Sequence, residues 1–159
     1  MVVPVKGFAS AKARLAPVLG RAERAALARS MAERVVAAAA PLPVAVVTGD
    51  DEVAAFAASL GAVVVDDPGA GLDAAAHAGL AWARGAGHDE VVVAHADLPL
   101  AGGLAALTGA LDACTLVPDR REDGTNVVVV PVDAGFRFAY GPGSFRRHVA
   151  EAARVGLAV

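Results

Sequence analysis

Short apolar runs alternate along the chain with longer segments in which apolar positions recur at helical spacing. The apolar runs predict strands at Val2–Val5, Val44–Thr48, Ala62–Val65, Glu90–His95, Thr115–Val117 and Asn126–Val130. The periodic segments predict helices at Arg21–Ala40, Glu52–Leu60, Leu72–Arg84, Leu104–Ala113 and Ser144–Val155, the last with Ser144 as its cap. This alternation predicts an α/β fold, in which helices cover both faces of one open, mainly parallel sheet.

Ligands of such a sheet bind beyond the carboxyl ends of its strands. Four connecting segments carry polar or charged residues after a predicted strand: Lys6–Arg14, Asp66–Asp73, His95–Pro99 and Asp119–Asn126. We therefore expect the functional residues in these segments.

Composition narrows the class of protein. The 159 residues match the size of one domain, and 56% are hydrophobic but only 4% aromatic, so Ala, Val and Leu should build the core. A net charge of −3 argues against binding to nucleic acid or an anionic membrane. The single cysteine fits a reducing compartment, and no run of about 18 apolar residues could span a bilayer. We expect a cytoplasmic protein.

The first candidate site is the loop Lys6–Arg14, which follows the first strand. Lys6 and Lys12 are the only lysines among 14 basic residues, and Arg14 adds a third cation beside Gly7. Such a loop can cradle a triphosphate, because backbone N–H groups and cationic side chains offset phosphate charge. It lacks the Gly-Lys-Ser/Thr ending of a Walker A loop. A solvated basic loop is the alternative interpretation.

The second candidate is Asp97, which follows the fourth strand. A carboxylate there can bind Mg²⁺, which needs only one or two protein carboxylates when phosphates and water complete its ligands. Asp97 could instead cap a helix before Pro99. His95 should lie on the same face as Asp97, where we interpret it as a packed residue behind the site.

Two further segments carry weaker signals. The charged loop Asp119–Asn126 ends in Gly-Thr-Asn, where Thr125 can donate hydrogen bonds to an anion, although a surface hairpin has the same composition. Gly141-Pro142-Gly143-Ser144 leads into a helix whose first turn could bind a phosphate or carboxylate. Ser144 as an ordinary helix cap is the alternative. Gly69–Ala74 fits a dinucleotide-binding pattern, but Asp66 and Asp67 would repel a pyrophosphate.

A set of ordered short motifs resembles one known family. The motifs are Val3–Lys6, Ala11–Leu15, Gly71–Ala75, Ala96–Pro99, Pro118–Arg120, Gly124–Asn126 and Phe138–His148. In this order, over nearly the whole chain, they resemble the guanylyltransferases of coenzyme F420 biosynthesis, which act on 2-phospho-L-lactate or phosphoenolpyruvate.

The resemblance implies a three-layer, Rossmann-like nucleotide-diphospho-sugar-transferase fold and residue roles within it. Lys6, Lys12 and Arg14 would contact the phosphates of GTP, and Asp97 would hold Mg²⁺ as the cofactor. The resemblance also implies that the nucleotide is contacted by Gly7, Gly71 and Asp73. It implies that the phospho-acid is contacted by Thr125, Gly141 and Ser144.

The implied reaction transfers GMP from GTP to phosphoenolpyruvate or 2-phospholactate and releases pyrophosphate. The heavy use of Ala, Gly, Val, Pro and Arg is typical of a GC-rich genome, and this favours phosphoenolpyruvate as the acceptor. Two alternatives stay open: another phosphorylated acceptor on the same fold, or a nucleotide-binding module without turnover. Molybdopterin would be one such acceptor, but the Leu-Ala-Gly-Gly opening loop typical of the enzymes that act on it is absent, which argues against it.

The chain departs from the family at two points. Relatives usually carry Asn at the position of Asp73. They also continue beyond the position of Val159 through a strand and an Asp-x-Asp-x-Pro segment that supplies another metal carboxylate. We therefore expect a single nucleotidyltransferase domain over residues 1–159 without that segment, with one or two metals left open. The oligomeric state is open too, a homodimer included.

Overall fold

All of residues 1–159 are described by a computed structural model, in which most strands and helices lie close to the predicted segments. The strands are β1 (Val2–Pro4), β2 (Ala45–Thr48), β3 (Val63–Asp66), β4 (Glu90–Ala94), β5 (Thr115–Pro118) and β6 (Thr125–Pro131). The helices are α1 (Arg21–Ala37), α2 (Asp51–Ser59), α3 (Leu72–Gly85) and α4 (Ser144–Arg154). Short 3₁₀ turns occupy Phe8–Ser10, Ala13–Leu15 and Leu104–Leu107.

The six strands form one sheet in the order β3-β2-β1-β4-β6-β5. Strands β3, β2, β1 and β4 are parallel, whereas β6 is antiparallel to both β4 and β5. The prediction of a mainly parallel sheet is confirmed. Because β6 runs in the opposite direction, its first residues, Thr125 and Asn126, lie beside the carboxyl end of β4, where the His95 N–H donates to the Asn126 carbonyl at 3.0 Å.

Two hydrophobic clusters cover the two faces of the sheet and make three layers. Successive residues of β4 alternate between them, Val92 and Ala94 on one face and Val91 and Val93 on the other, because neighbouring side chains of a strand point in opposite directions. Helices α1 and α2 contribute to the first cluster and α3 and α4 to the second. This explains the continuous apolar runs, since strands buried on both faces have no polar side to present.

The predicted helix Leu104–Ala113 is wrong, because only Leu104–Leu107 forms a turn and that turn is 3₁₀. Thr108 is extended, and Gly109 adopts a φ of 110°, which an α-helix cannot continue through. The Gly109 N–H donates instead to the Glu90 side chain at 2.6 Å. Only Leu104 and Leu107 of the apolar pattern pack against the core, and Leu111 is 57% exposed, so the helical spacing of these residues does not correspond to a buried helix face.

The predicted cap at Ser144 is also wrong. Gly143, in the left-handed region, is the residue before α4, and Ser144 is the first residue of the helix. The Ser144 hydroxyl donates towards Thr125 Oγ1 at 3.3 Å. At α2, by contrast, Asp50 caps the helix by accepting from the Val53 N–H at 3.0 Å. No helix of the structure has both the length and the apolarity needed to cross a membrane.

Candidate active site

A cleft of about 450 Å³ opens where the loops after β1 and β4 face each other. The two strands are neighbours and run in parallel, so both loops leave the same edge of the sheet. The polar side chains that line the cleft are Lys6, Ser10, Lys12, His95 and Asp97. The sequence prediction that the opening loop and the acid after β4 converge is confirmed by this arrangement.

Lys12 and Asp97 form the central contact of the cleft. Lys12 Nζ lies 2.7 Å from Asp97 Oδ2, and the two side chains are 26% and 52% exposed. Ion pairs with this much exposure contribute only about 0–1 kcal/mol to stability. Lys12 also adopts a left-handed backbone with a φ of 53°, a conformation that non-glycine residues seldom take and that occurs often at functional sites. The pair therefore adds little to the fold, which makes a role in binding the better explanation.

The charges of the cleft keep Asp97 ionised. Burial opposes ionisation of this carboxyl, but the hydrogen bond and the charge of Lys12 outweigh it and hold its pKa below the usual value. Asp97 is the only carboxylate that lines the cleft, and no cluster of three His, Cys, Asp or Glu residues that could hold a metal occurs in the protein. A lone, half-exposed carboxylate fits Mg²⁺, provided that phosphates and water supply the other oxygen ligands.

His95 lies beside Asp97 and lines the cleft with it, although the sequence favoured a packed residue behind the site. Its Nδ1 is 3.9 Å from Asp97 Oδ1, and its ring packs 5.3 Å from the ring of Tyr140. Burial lowers the pKa of His95, with the charge of Asp97 opposing and that of Lys12 reinforcing the shift. The imidazole is therefore neutral near pH 7. Its Nε2 and the Tyr140 hydroxyl are both buried without a hydrogen-bond partner.

The opening loop is anchored at Phe8 and approaches the sheet closely at Gly7. Phe8 is 2% exposed and packs edge-on against Phe56 at 5.3 Å. A Cβ at Gly7 would lie 2.5 Å from Asp50 Oδ2, so any larger residue there would displace that carboxylate. Arg14 is exposed on the turn Ala13–Leu15 and does not line the cleft, unlike Lys6 and Lys12.

A second cavity of about 270 Å³ adjoins the cleft, and Lys6 and Gly7 line both. It has no hydrophobic lining, and its other residues are Thr48, Gly49, Asp50, Asp67, Gly69 and Gly71. Asp67 Oδ1 accepts from the Gly69 N–H at 2.9 Å. Gly71, one of the predicted nucleotide-binding residues, precedes α3 with a φ of 96°. A polar cavity with two carboxylates suits a ligand that presents hydrogen-bond donors.

The three residues predicted to hold the phospho-acid also come together, but outside the cleft. Thr125 and Ser144 are each 1% exposed and touch through their hydroxyl groups. Gly141 lies in the exposed turn before α4 with a φ of 103°, and the Ser144 N–H donates to its carbonyl at 3.0 Å. The link to the cleft passes through the contacts of His95 with Tyr140 and with the Asn126 carbonyl.

Asp73 and Arg147 fix the turn before α4. Asp73 Oδ1 accepts from the Tyr140 N–H at 2.6 Å, so this predicted nucleotide-binding residue contacts the turn that was predicted to bind the phospho-acid. The Arg147 guanidinium donates to the carbonyls of Ala139, Tyr140 and Pro142 at 2.6–3.1 Å. Arg147 lies in the first turn of the helix whose start was expected to bind an anion, and its guanidinium is instead engaged by backbone carbonyls of the preceding turn.

Sequence reasoning included Asp67 only within the expected segment Asp66–Asp73, and it gave neither Asp67 nor Asp50 a role in a site. The position of Asp50 after β2 could have indicated it, because it stands at the carboxyl end of a parallel strand like the segments that were selected. His148 ends the Phe138–His148 motif, but nothing in that motif indicates its hydrogen-bond partners Ala139 and Thr125, which lie 9 and 23 positions away.

Comparison with known proteins gives one consistent result. Residues 1–159 match the sequence model of a family described as "Guanylyl transferase CofC like". The chain is 37% identical to the phosphoenolpyruvate guanylyltransferase of Sphaerobacter thermophilus, with 98% of this chain and 79% of that protein aligned. It is 41% identical to the phosphoenolpyruvate guanylyltransferase of Streptomyces coelicolor, with 96% and 77% aligned.

Solved structures share the fold. A structure from Desulfovibrio desulfuricans assigned to the nucleotide-diphospho-sugar transferases superposes with a TM-score of 0.78 at 21% identity, over 99% of this chain and 76% of that one. A nucleotidyl transferase from Methanothermobacter thermautotroptrophicus superposes with a TM-score of 0.64 at 20% identity, over 98% and 82%. The predicted nucleotide-diphospho-sugar-transferase fold is confirmed.

Proposed function

The chain belongs to the CofC-like guanylyltransferase family, and on this basis we propose that it transfers GMP from GTP to phosphoenolpyruvate with release of pyrophosphate. The observation that carries the proposal within the structure is the Lys12–Asp97 contact at the mouth of the cleft. It unites a cation for phosphate and an oxygen ligand for a divalent metal at the sheet edge where such folds bind ligands.

Lys6 and Lys12 are the proposed contacts of the GTP phosphates. Both ammonium groups line the cleft, and Gly7 and Ser10 lie beside them in the same loop. Each contributes positive charge where negative charge increases as pyrophosphate departs. Arg14, exposed beside the cleft, could reach a phosphate only from its rim, so we assign it a smaller contribution.

Asp97 is the proposed Mg²⁺ ligand. Bound Mg²⁺ would neutralise phosphate charge, as it does in other phosphoryl-transfer enzymes. Asp97 is ionised at neutral pH because Lys12 lowers its pKa despite partial burial. Lys12 is then free to exchange its carboxylate partner for a phosphate oxygen, since an exposed ion pair costs little to break.

The polar cavity lined by Asp50 and Asp67 is the proposed site of the guanine base. Guanine presents two adjacent donors on its pairing edge, N1–H and the 2-amino group, whereas adenine has an acceptor at N1 and no 2-amino group, and carboxylates only accept hydrogen bonds. The cavity shares Lys6 and Gly7 with the phosphate cleft, so one nucleotide can span both.

The acceptor acid would bind at Thr125, Gly141 and Ser144, as the family motifs imply. No protein nucleophile is needed, because the phosphate of the acid is itself an anion. One of its oxygens forms a bond to the α-phosphorus of GTP, and the bond from that phosphorus to the β-phosphate oxygen breaks. Pyrophosphate leaves with the electron pair, so catalysis consists of positioning and charge neutralisation.

The test is pyrophosphate release from GTP and Mg²⁺ in the presence of phosphoenolpyruvate, with 2-phospholactate and no acid as parallel reactions. We expect release that requires the acid and is fastest with phosphoenolpyruvate. Faster release with 2-phospholactate would reassign the acceptor, and GTP binding without release would overturn the proposal. The product would be an intermediate of coenzyme F420 biosynthesis, formed in the cytoplasm where GTP and phosphoenolpyruvate occur.

A further inference from the structure

His95 and Tyr140 are neighbouring rings that the proposed reaction leaves without a role. Their centroids lie 5.3 Å apart, and His95 lines the cleft whereas Tyr140 does not. Each ring carries one polar atom, His95 Nε2 and the Tyr140 hydroxyl, that is buried without a hydrogen-bond partner in the protein. Buried polar groups are nearly always hydrogen bonded, so two such atoms on adjacent rings indicate a bond between them, direct or through a water.

The other nitrogen of the imidazole faces the proposed metal ligand. His95 Nδ1 lies 3.9 Å from Asp97 Oδ1, which is too long for a hydrogen bond. Lys12 Nζ donates to the second oxygen of the same carboxylate, Oδ2, at 2.7 Å. Lys12 and His95 are the basic residues with a side-chain nitrogen within 4.0 Å of Asp97. The carboxylate is therefore bonded to one of these two donors and lies about 1 Å short of bonding to the other.

Metal binding removes the bond that now orients Asp97. In the proposed function the carboxylate binds Mg²⁺ while Lys12 moves to a phosphate oxygen, so Asp97 needs another donor. Carboxylates that bind metals are themselves hydrogen bonded, and loss of such a partner typically costs 10–100-fold in metal affinity or activity. His95 already lies beside Oδ1 and can supply this donor.

We propose that His95 is a positioning residue that replaces Lys12 as the hydrogen-bond donor to Asp97 when this carboxylate binds a divalent cation. The inference rests on the proposed function, which assigns Asp97 to Mg²⁺. A carboxylate only accepts hydrogen bonds, so Nδ1 must carry the proton, and in a neutral ring Nε2 is then an acceptor. The Tyr140 hydroxyl can donate to that acceptor, which gives both buried atoms a partner and fixes the ring from behind.

Two substitutions of nearly equal shape isolate the donor. Leucine and asparagine both branch at Cγ, so each places one atom near the position of Nδ1. In His95→Asn that atom is the amide nitrogen, which donates, whereas in His95→Leu it is a methyl group. Both variants lose the contact with Tyr140 to the same extent. His88→Leu, which lies outside the cleft, is the control for loss of a histidine.

The measurement is the Kd for GTP without any acceptor acid, by titration calorimetry, once with Mg²⁺ and once with EDTA. The ratio of the two Kd values gives the gain in affinity that the metal provides, and it requires no turnover. We expect this gain to fall roughly 10–100-fold in His95→Leu. In His95→Asn and His88→Leu it should stay within about threefold of wild type. In EDTA all four proteins should bind GTP alike, because no metal then contacts Asp97.

Three results would overturn the inference: an unchanged gain in His95→Leu, equal losses in the leucine and asparagine variants, or weaker binding that is the same with EDTA as with Mg²⁺. The last result would assign His95 a packing role only. Thermal unfolding of each variant verifies that the fold is intact.

Tyr140→Phe removes the buried hydroxyl alone and tests the support of the ring. We expect the gain from Mg²⁺ to fall about two- to tenfold, the usual worth of one neutral hydrogen bond. In a His95→Leu background the same change should cost nothing further, because its effect passes through the imidazole. A loss of the same size in both backgrounds, or none in either, would remove Tyr140 from the proposal.

The same titrations separate this inference from the proposed reaction. A wild type that is inactive with both acids, but whose gain from Mg²⁺ depends on His95 as described, would refute the transfer reaction and leave the role of His95 standing. A wild type whose affinity for GTP is the same with Mg²⁺ as with EDTA would overturn both the metal assignment and the role of His95.

Discussion

The Asp73 carboxylate accepts a hydrogen bond from the backbone N–H of Tyr140, with 2.6 Å between Oδ1 and N. Asp73 lies in the first turn of α3, next to Gly71 and the polar cavity, and Tyr140 lies in the turn that leads to α4. One side chain therefore joins the proposed nucleotide site to the proposed acceptor site.

We expect Asp73→Ala to raise the KM for phosphoenolpyruvate about tenfold, because loss of a charge-assisted hydrogen bond costs about 1.5–3 kcal/mol and frees the turn. Asp73→Asn keeps an oxygen acceptor and should cost less than threefold. Steady-state kinetics at saturating GTP provide the comparison. Equal effects of the two substitutions would show that the contact does not position the turn.

Asp97→Asn should abolish Mg²⁺-dependent turnover, with a loss on the order of 10²-fold or more, because the neutral amide is a poor ligand for the metal. The fold should survive, since the side chain is 52% exposed. Pyrophosphate release across a Mg²⁺ titration is the measurement. Asp133→Asn is the matched control, because Asp133 is 83% exposed and pairs with Arg84 instead. Wild-type turnover in Asp97→Asn would remove the metal assignment.

Lys12→Ala should lower kcat by roughly 10²–10³, the usual effect of removing a group that stabilises charge in the transition state. Arg21→Ala, an exposed change at the start of α1, serves as the control for loss of one positive charge. Single-turnover assays separate chemistry from GTP binding. If Lys12→Ala had the kinetics of the control, the alternative interpretation of Lys6–Arg14 as a solvated basic loop would be favoured.

Asp67→Asn should weaken the preference for GTP over ATP at least tenfold. The amide still accepts the Gly69 N–H through its oxygen, but its nitrogen now offers a donor that suits adenine and opposes guanine. Competition binding of the two nucleotides measures the ratio. Asp51→Asn, in the first turn of α2 and outside the cavity, is the control. An unchanged ratio of GTP to ATP affinity would show that Asp67 does not recognise the base.

The stability of the protein should fall in acid because of His148. Its pKa is about 4 in the folded protein and 6.5 when exposed, so the unfolded state binds more protons between these values. The free energy of unfolding should therefore decrease as pH falls from about 6.5 to 4, by up to about 3 kcal/mol, since one pKa unit is worth about 1.4 kcal/mol. Urea unfolding at pH 7 and 4.5 tests this, and His148→Gln should lose that part of the dependence. An identical pH dependence in that variant would contradict the assignment.

Hydrophobic pattern and turn residues predicted the sheet, its mainly parallel order and the convergence of Lys12 with Asp97, because strand ends determine where their loops lie. They failed at Leu104–Ala113, where Gly109 interrupts an otherwise apolar periodicity. Contacts between residues that are far apart in the sequence could not be predicted from the pattern. Asp73 contacts a backbone group 67 positions away, and the buried His148 is held by hydrogen bonds with Ala139 and Thr125, which are 9 and 23 positions away. Neither follows from residue type or spacing.

Because β6 runs in the opposite direction, the proposed contacts to the two substrates come from different kinds of loop. All of the proposed GTP contacts leave the ends of parallel strands that the buried sheet holds in register, whereas Thr125 begins a strand that is entered from the exposed loop after β5. We expect that insertions or substitutions in that loop alter the proposed acceptor site without disturbing the proposed nucleotide contacts. A fold built in this way can diversify its acids while its nucleotide chemistry stays constant.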